Sequence, residues 1–259
     1  MKIGGAASGI GLACARVMAA NGARLTLLDC DETSLAAAIK ELTATGAEVR
    51  GDIVDVTDRD RLDRSFDRAA RAHGRIDVAF ANAGIGGGPG FLSMDGQRNP
   101  AGAIEDIGPE RWNTMLDTHL LSALWTIQAA VRQMKLQGGG RIIVTTSIAA
   151  IKTETHVGLP YMVAKSGLVH LVKQAALELA RYNILVNVIA PGPFATDIGG
   201  GRMLEDAMQN HHRRVTPLRR MAKPNDIMGL APFLASPASS FVTGTQIVID
   251  GGATLGFAD

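Results

Sequence analysis

The sequence is poor in cysteine, and its charges nearly cancel. Its two cysteines, Cys14 and Cys30, are too few for a disulfide framework and lack the spacing of a metal site, so we expect no bound metal and a reducing cytoplasm. A net charge of +1 gives no reason to expect nucleic acid or a membrane as partner. No apolar run approaches the roughly 18 residues of a membrane span, and no signal-peptide pattern opens the chain. These absences predict a soluble, cytoplasmic protein.

Short apolar runs alternate with helical patterns along the whole chain. The length of 259 residues and the 46% hydrophobic content suit one large domain, residues 1–259. Runs without strict alternation are typical of parallel strands that helices cover on both faces. They occur at 24–29, 47–56, 76–81, 141–147, 184–190 and 246–250. The sequence therefore predicts an α/β fold, a doubly wound parallel sheet of about seven strands with helices on both faces.

Three stretches depart from this alternation. A Gly- and Pro-rich stretch at about 85–105 is predicted to be a substrate loop, because loops of that length are often functional. The stretch at about 198–222 is predicted to be a helical substrate lid over one end of the sheet. Only Met1 to Ile3 precede the first glycine-rich loop, which indicates either an unusually short first strand or a chain that begins within it.

The glycine-rich loop GGAASGIG, residues 4–11, precedes an amphipathic helix. Gly5, Gly9 and Gly11 would let the backbone turn tightly and approach a pyrophosphate at the positive end of that helix. Asp29 ends the next strand, where a carboxylate would hold the ribose hydroxyls of an adenosine and repel a 2′-phosphate. The pattern therefore favours NAD over NADP, although a turn that binds nothing is an alternative for the loop alone.

Tyr161 and Lys165 belong to a second motif, YMVAK, at the start of a helix. Their i, i+4 spacing places both side chains on the same face as Leu168 and Val172. An ammonium beside a phenol lowers the pKa of the phenol towards a range useful for acid–base catalysis. A buried tyrosine with a snorkelling lysine is the structural alternative. Ser147, at the end of a predicted strand, is placed either to hydrogen-bond a substrate carbonyl or to cap the next segment.

In this order, the motifs resemble those of the short-chain dehydrogenase/reductase family over nearly the whole chain. Asp55-Val56 is similar to the family's adenine-contacting pair, and Asn82-Ala83-Gly84 to its NAG motif. Pro191-Gly192 and Thr196 resemble the segment that reaches the nicotinamide carboxamide. The resemblance implies a Rossmann-type domain that binds NAD through Gly5, Ser8, Gly9, Ile10, Gly11, Asp29, Asp55, Val56, Asn82, Ala83, Gly84, Tyr161, Lys165, Pro191, Gly192, Phe194 and Thr196.

The resemblance also implies the chemistry. Tyr161 would exchange a proton with the substrate oxygen during hydride transfer, Ser147 would orient that oxygen, and Lys165 would bind the nicotinamide ribose and lower the pKa of Tyr161. The expected function is NAD-dependent interconversion of a secondary alcohol and a ketone. The alternatives are a 3-oxoacyl-thioester reductase, which would prefer NADPH, and a sensor or scaffold that binds the dinucleotide without activity. The family also implies a homotetramer packed through the helices at 110–137 and 161–181.

Two single residues depart from the family pattern. Gly4 stands where the family has a threonine, so one side-chain bond across the glycine-rich loop is missing. His119 stands where the family has the asparagine that helps to hold a water between the lysine and solvent. We hypothesise that His119 joins Ser147, Tyr161 and Lys165 as a catalytic residue in that proton relay, since imidazole donates and accepts. The alternative is a histidine packed between helices.

An insertion is the third departure. The stretch from Asn82 to Trp112 is about a dozen residues longer than the family pattern, and surface loops tolerate such additions. The extra residues, about 86–101, are predicted to form a flap that shapes the substrate site or an interface element, with surface decoration as the alternative. The basic run at 211–214 is either a site for an anionic substrate or the solvated end of a helix.

Overall fold

A seven-stranded parallel sheet lies at the centre of the computed structural model, which describes residues 1–198 and 200–256. The strand order is β3-β2-β1-β4-β5-β6-β7. The strands are β1 (Lys2–Gly4), β2 (Leu25–Asp29), β3 (Val49–Ile53), β4 (Val78–Ala81), β5 (Gly140–Thr145), β6 (Ile184–Pro191) and β7 (Gln246–Ile249). Each of the apolar runs overlaps one of them, and the predicted fold class is confirmed. The first strand is short, with three residues.

Helices cover both faces of the sheet. They are α1 (Gly9–Ala20), α2 (Glu32–Ala44), α3 (Arg59–His73), α4 (Pro109–Met115), α5 (Ser122–Leu136), α6 (Leu159–Leu179), α7 (Asp206–Val215) and α8 (Leu230–Ala235). Successive strand residues point to opposite faces. Leu27 therefore packs with α1 and α2, whereas Leu28 packs in the second core cluster with α3, α5 and α6.

The first turn of α6 carries one of the candidate catalytic residues. Gly158 is its N-cap and Pro160 lies in its first turn, where the missing N–H of proline costs no helical hydrogen bond. The helix thus begins two residues before Tyr161, close to the predicted start. Among the described residues, no helix is both long enough and apolar enough to cross a membrane.

The two predicted substrate segments lie over the carboxyl ends of the strands. The lid contains α7, which agrees with the predicted helical excursion, while Gly199 of the lid and residues 257–259 of the predicted domain lie outside the described residues. The strand order reverses between β1 and β4, which opens a crevice at the carboxyl edge of the sheet. The candidate residues after β1, β2, β4, β5 and β6 therefore meet at one place.

Candidate active site

The glycine-rich loop closes tightly against the segment after β4. Gly5 and Gly9 have φ values of 60° and 50°, which glycine adopts without strain. A Cβ on Gly11 would lie 2.0 Å from the carbonyl oxygen of Gly5, so only glycine fits there. The side-chain amide of Asn82 donates to the carbonyl oxygens of Gly4 and Gly5, at 3.3 and 3.2 Å. These two hydrogen bonds hold the glycine-rich loop against the segment after β4. They lie beside Gly4, the position at which the family has a threonine.

Asp29 stands at the end of β2, beside this loop. Its carboxylate accepts the backbone N–H of Ala7 at 3.0 Å and that of Asp31 at 3.2 Å. The pKa of the Cys30 thiol is raised, first by burial and then by the negative charges of Asp29, Asp55 and Asp31. This end of the crevice is therefore an acidic corner, defined by these three aspartates.

The other predicted cofactor residues border the same crevice, with one exception. Ser8 is exposed before α1, and its side chain makes no capping hydrogen bond. A Cβ on Gly9 would lie 3.4 Å from the Thr196 methyl carbon, so the segment after Pro191-Gly192 reaches the loop. Phe194 is the exception, because its side chain is 4% exposed and packs in the core. The predicted role of Phe194 in cofactor binding stays a prediction.

Ile10, Val56 and Ala83 are partly buried around the loop. Ile10 packs against the core cluster that contains α1. Val56 and Ala83 line a small cavity together with Asn82. These side chains surround the crevice with apolar surface and carry no charge into it.

Ser147, Tyr161 and Lys165 come together at the carboxyl end of β5. The Ser147 hydroxyl accepts the N–H of Ala149 at 3.1 Å, so it caps a short helical turn, and it also hydrogen-bonds Tyr161. The ammonium of Lys165 lies 5.5 Å from the ring centre of Tyr161 and donates to the carbonyl oxygen of Thr145 at 3.1 Å. Ser147 therefore caps the next segment, which was one of its two predicted roles. Its hydroxyl also faces Tyr161.

Burial sets the protonation of this cluster. It raises the pKa of Tyr161 above its ordinary value, while the hydrogen bond from Ser147 acts in the opposite direction. It lowers the pKa of Lys165 to about 7. The i, i+4 spacing predicts a lowered pKa for Tyr161, and the structure corrects that direction because desolvation disfavours both charged forms. Near neutral pH, Tyr161 is a neutral phenol that can donate a proton.

His119 lies in a π-helical turn, Leu116–Leu121, between α4 and α5. Such turns are rare and recur at functional sites. The imidazole is 2% exposed and stands between the NAG segment and Tyr161. A Cβ on Gly84 would lie 2.7 Å from its Cε1 atom, and the ring centres of His119 and Tyr161 are 5.0 Å apart. His119 is therefore in direct contact with a candidate catalytic side chain.

The surroundings of His119 keep its ring neutral. Burial, and then the charge of Lys165, lower the pKa of His119 to about 2, against a weaker opposing effect of the Ile85 backbone. Among the described residues, neither ring nitrogen has a hydrogen-bond partner of standard geometry. A cavity of about 10 Å³ adjoins the ring and is lined by polar groups that include Asn82 and Thr145. That volume is at the lower limit for one water molecule.

The flap, residues 85–105, borders the active site. It pairs with the catalytic loop, residues 148–158, through the N–H of Leu92, which donates to the carbonyl oxygen of Thr155 at 3.1 Å. A Cβ on Gly87 would lie 3.2 Å from Cγ of Tyr161, so the flap backbone covers the phenol ring. This contact places the insertion beside Tyr161 and not on a remote surface.

The basic run of the lid divides into two halves. His211 of α7 lies against His156 of the catalytic loop, with ring centres 5.9 Å apart, and against His212 at 5.2 Å. Burial lowers the pKa of His212 to about 4. In contrast, Arg213 bonds Asn210 within its own exposed helix. The imidazoles therefore face the catalytic loop, and the arginine end is solvated.

Two residues of the site carry no motif in the sequence. The carbonyl of Thr145 holds Lys165, and its hydroxyl donates to the side-chain oxygen of Asn82 at 2.9 Å. In the sequence, only the position of Thr145 two residues before Ser147, on the same face of the predicted strand, indicates that it belongs to the site. Arg111 donates to the carbonyl oxygens of Pro89 and Ala101 in the flap, and nothing in the sequence marks that role.

Comparison with known proteins decides the family. The family model described as enoyl-(acyl carrier protein) reductase matches residues 5–254. Dehydrogenase/reductase SDR family member 4 of Oryctolagus cuniculus is 33% identical over 245 residues, which cover 95% of this chain and 89% of the rabbit protein. The chain belongs to the short-chain dehydrogenase/reductase family. As a member of that family it is an oxidoreductase that acts on a small molecule and binds a nicotinamide dinucleotide.

Two further relatives extend the match. The L-rhamnose 1-dehydrogenase (NAD(P)(+)) of Azotobacter vinelandii is 33% identical over 256 residues, covering 96% of this chain and 93% of that protein. The crystal structure of a short-chain type dehydrogenase/reductase from Mycobacterium marinum has a TM-score of 0.86 and 34% identity, covering 98% of this chain and 94% of that one. The family fold thus spans nearly all of this short-chain dehydrogenase/reductase.

The crevice of this family member suits a nicotinamide dinucleotide. The glycine-rich loop leaves no room for a Cβ at Gly11, so its backbone lies at the surface that a pyrophosphate would contact. Each oxygen of Asp29 accepts one backbone N–H, which leaves further acceptor capacity for ribose hydroxyls.

Proposed function

We propose that this short-chain dehydrogenase/reductase interconverts a secondary alcohol and a ketone with NAD(H). The observation that carries the proposal is the convergence of Ser147, Tyr161 and Lys165 beside the glycine-rich loop. A hydroxyl, a phenol and an ammonium at the carboxyl edge of the sheet are the groups that carbonyl reduction needs: an orienting donor, a proton donor and a cation.

The acidic corner supports NAD over NADP. Asp29, Asp31 and Asp55 lie close enough to one another to raise the pKa of Cys30 together. The same negative charges would repel a 2′-phosphate, whereas ribose hydroxyls would donate to Asp29.

The mechanism assigns one task to each residue. A bound nicotinamide dinucleotide supplies the hydride acceptor or donor. Tyr161 donates its phenolic proton to the ketone oxygen, and in the reverse direction its phenolate accepts the proton of the alcohol. Ser147 hydrogen-bonds the same oxygen and holds it within reach of Tyr161. Lys165, anchored on the Thr145 carbonyl, binds the ribose hydroxyls.

His119 serves this mechanism as a neutral relay. With a pKa of about 2, the ring passes a proton by accepting at one nitrogen and donating at the other, without a lasting imidazolium. A water in the adjoining cavity would connect the ring to the polar groups around Lys165. Neither ring nitrogen has a partner of standard geometry among the described residues, which supports this role over that of a satisfied core histidine.

The proposed assembly is a homotetramer packed through α4–α5 and α6. Both surfaces expose apolar side chains, since Leu136 is 85% and Leu177 is 76% exposed in the single chain. Light scattering after size exclusion tests the state, and charged substitutions at Leu136 and Leu177 should lower the measured mass.

A panel of secondary alcohols and ketones, with NAD(H) and NADP(H), tests the proposed function. Tyr161→Phe should lose turnover by about 10²- to 10⁴-fold, the usual contribution of general acid–base catalysis, and still bind NADH. Tyr182→Phe is the matched control, because that tyrosine stacks with Lys135 on the surface. Activity that survives in Tyr161→Phe contradicts the mechanism. Turnover only of a 3-oxoacyl thioester with NADPH would favour the reductase alternative, and NADH binding without any turnover would favour the sensor.

A further inference from the structure

The flap is joined to the catalytic loop by antiparallel backbone pairing. The N–H of Leu92 donates to the carbonyl of Thr155, and the N–H of Gly158 donates to the carbonyl of Gly87 at 3.2 Å. A bridge between Pro89 and Val157 lies between these bonds. The flap also folds back on itself, because the N–H of Asn99 donates to the Phe91 carbonyl at 2.9 Å. One strand of a small hairpin is thus added to the loop that connects Ser147 and Tyr161.

Arg111 fastens this arrangement from α4. One terminal nitrogen donates to the carbonyl oxygen of Pro89 and the other to that of Ala101, each at 2.6 Å. The two carbonyls belong to opposite ends of the hairpin, so a two-pronged donor closes it. The guanidinium also packs against the N-cap of α6, since a Cβ on Gly158 would lie 2.4 Å from it. A single side chain therefore holds both flap ends at the start of the catalytic helix.

The fastened backbone forms a wall of the active site. Gly87 lies two residues before Pro89, and a Cβ on it would be 3.0 Å from Val157 Cγ1 and 3.2 Å from Tyr161 Cγ. Displacement of Pro89 would therefore move the backbone that covers the phenol ring.

We propose that Arg111 is a positioning residue that sets substrate size preference by holding the flap against Tyr161. The inference rests on the proposed function and adds its substrate class: secondary alcohols or ketones bulky enough to contact the flap with the part remote from the reacting carbon. Small substrates engage Ser147 and Tyr161 alone and do not sense the flap.

The test compares Arg111→Ala and Arg111→Lys with the wild-type enzyme. We expect Arg111→Ala to raise KM for bulky cyclic ketones by about tenfold or more, the range that lost apolar wall contacts give. KM for acetone and for NADH should stay within about twofold, because the proposal places neither of them against the part of the flap that Arg111 holds. Arg111→Lys keeps the positive charge but lacks the two-pronged guanidinium, so it should raise KM for bulky cyclic ketones by less. Arg16→Ala is the matched control, because Arg16 makes a two-pronged bond to Glu41 on the remote surface of α1.

Amide hydrogen exchange supplies the readout that does not depend on activity. In Arg111→Ala, the amides of Leu92 and Gly158 should exchange faster by on the order of tenfold, while those of α1 stay unchanged. Unchanged hydrogen exchange at both amides would show that Arg111 does not hold the flap, whatever the effect on activity. Faster exchange with equal KM changes for acetone and bulky ketones overturns the size preference. A wild-type enzyme that turns over no member of the panel overturns the proposed function, and with it the assigned substrate class.

Discussion

The imidazole of His119 meets the phenol of Tyr161 edge to face, with ring centres 5.0 Å apart and planes at 89°. The other side of the imidazole rests on the backbone of Gly84. A side chain at position 119 thus has two effects, since it supplies hydrogen-bonding groups and it supports the ring that carries the proton. Substitutions of equal shape are needed to separate them.

His119→Asn and His119→Leu form such a pair, because the two replacements have similar shape and only one can hydrogen-bond. We expect His119→Asn to keep kcat within about threefold of wild type, and His119→Leu to lose about 10- to 100-fold, towards the lower end of acid–base contributions. The wild-type rate should show no ionisation of His119 between pH 5 and 9, since its pKa is about 2. Equal kcat values and equal pH profiles for both variants would remove His119 from the relay.

Gly84→Ala tests the packing of the same ring. The added methyl would lie 2.7 Å from Cε1 of His119, and overpacking of this kind costs about 1–3 kcal/mol. In a His119→Ala background the methyl has room, so the two substitutions should couple by about 1 kcal/mol or more. Urea unfolding of the four proteins measures this coupling. Gly229→Ala, where an added Cβ meets nothing within 4 Å, controls for the loss of glycine. Additive effects would show that the ring does not rest on Gly84 in solution.

Asp29→Asn tests the choice of cofactor. The amide oxygen can still accept a backbone N–H, but the negative charge at the ribose position is gone. The ratio of kcat/KM for NAD to that for NADP should fall by about tenfold or more, which corresponds to about 1.4 kcal/mol. Asp58→Asn is the control, because Asp58 lies outside the acidic corner and caps α3 by accepting a backbone N–H that asparagine also accepts. An unchanged ratio in Asp29→Asn would move cofactor selection away from this corner.

Stability should rise with pH between about 7 and 9. Burial lowers the pKa of Lys2 and of Lys165 to about 7 in the folded protein, from the ordinary value of 10.5. In this window the unfolded chain binds more protons than the folded one, so each lysine adds up to about 1.4 kcal/mol per pH unit. Urea unfolding at pH 7, 8 and 9 measures the slope, which Lys2→Met should reduce and the exposed Lys40→Met should not. A flat or falling wild-type curve contradicts the lowered pKa values.

The strands and the placement of the candidate pair, Tyr161 and Lys165, could be predicted because their signals are local. The i, i+4 spacing alone puts Tyr161 and Lys165 on one helix face, and the end of an apolar run locates Asp29. The direction of the Tyr161 pKa could not be predicted in this way, because it depends on burial by segments distant in sequence. The core position of the Phe194 side chain could not be predicted for a similar reason, since its motif does not tell which face of the chain packs into the core.

The π turn and the pairing of the flap with the catalytic loop could not be predicted from sequence patterns. The residues from Pro109 to Leu136 are helical throughout, so the sequence pattern does not distinguish the π-helical turn at 116–121 that contains His119. Flap pairing joins residues 87–92 to 155–158, and no periodicity connects segments so far apart. Arg111 acquires its role only once both flap ends are in place.

Because the flap adds a strand to the catalytic loop, the two segments can be swapped between proteins only as one unit. A chimera that replaced residues 85–105 alone with the loop of a relative would leave the Thr155 carbonyl and the Gly158 N–H without their partners. Arg111 would at the same time lose both of its acceptors. We therefore expect that a transfer of substrate range into this protein requires residues 85–105, the segment 148–158 and position 111 to be exchanged together.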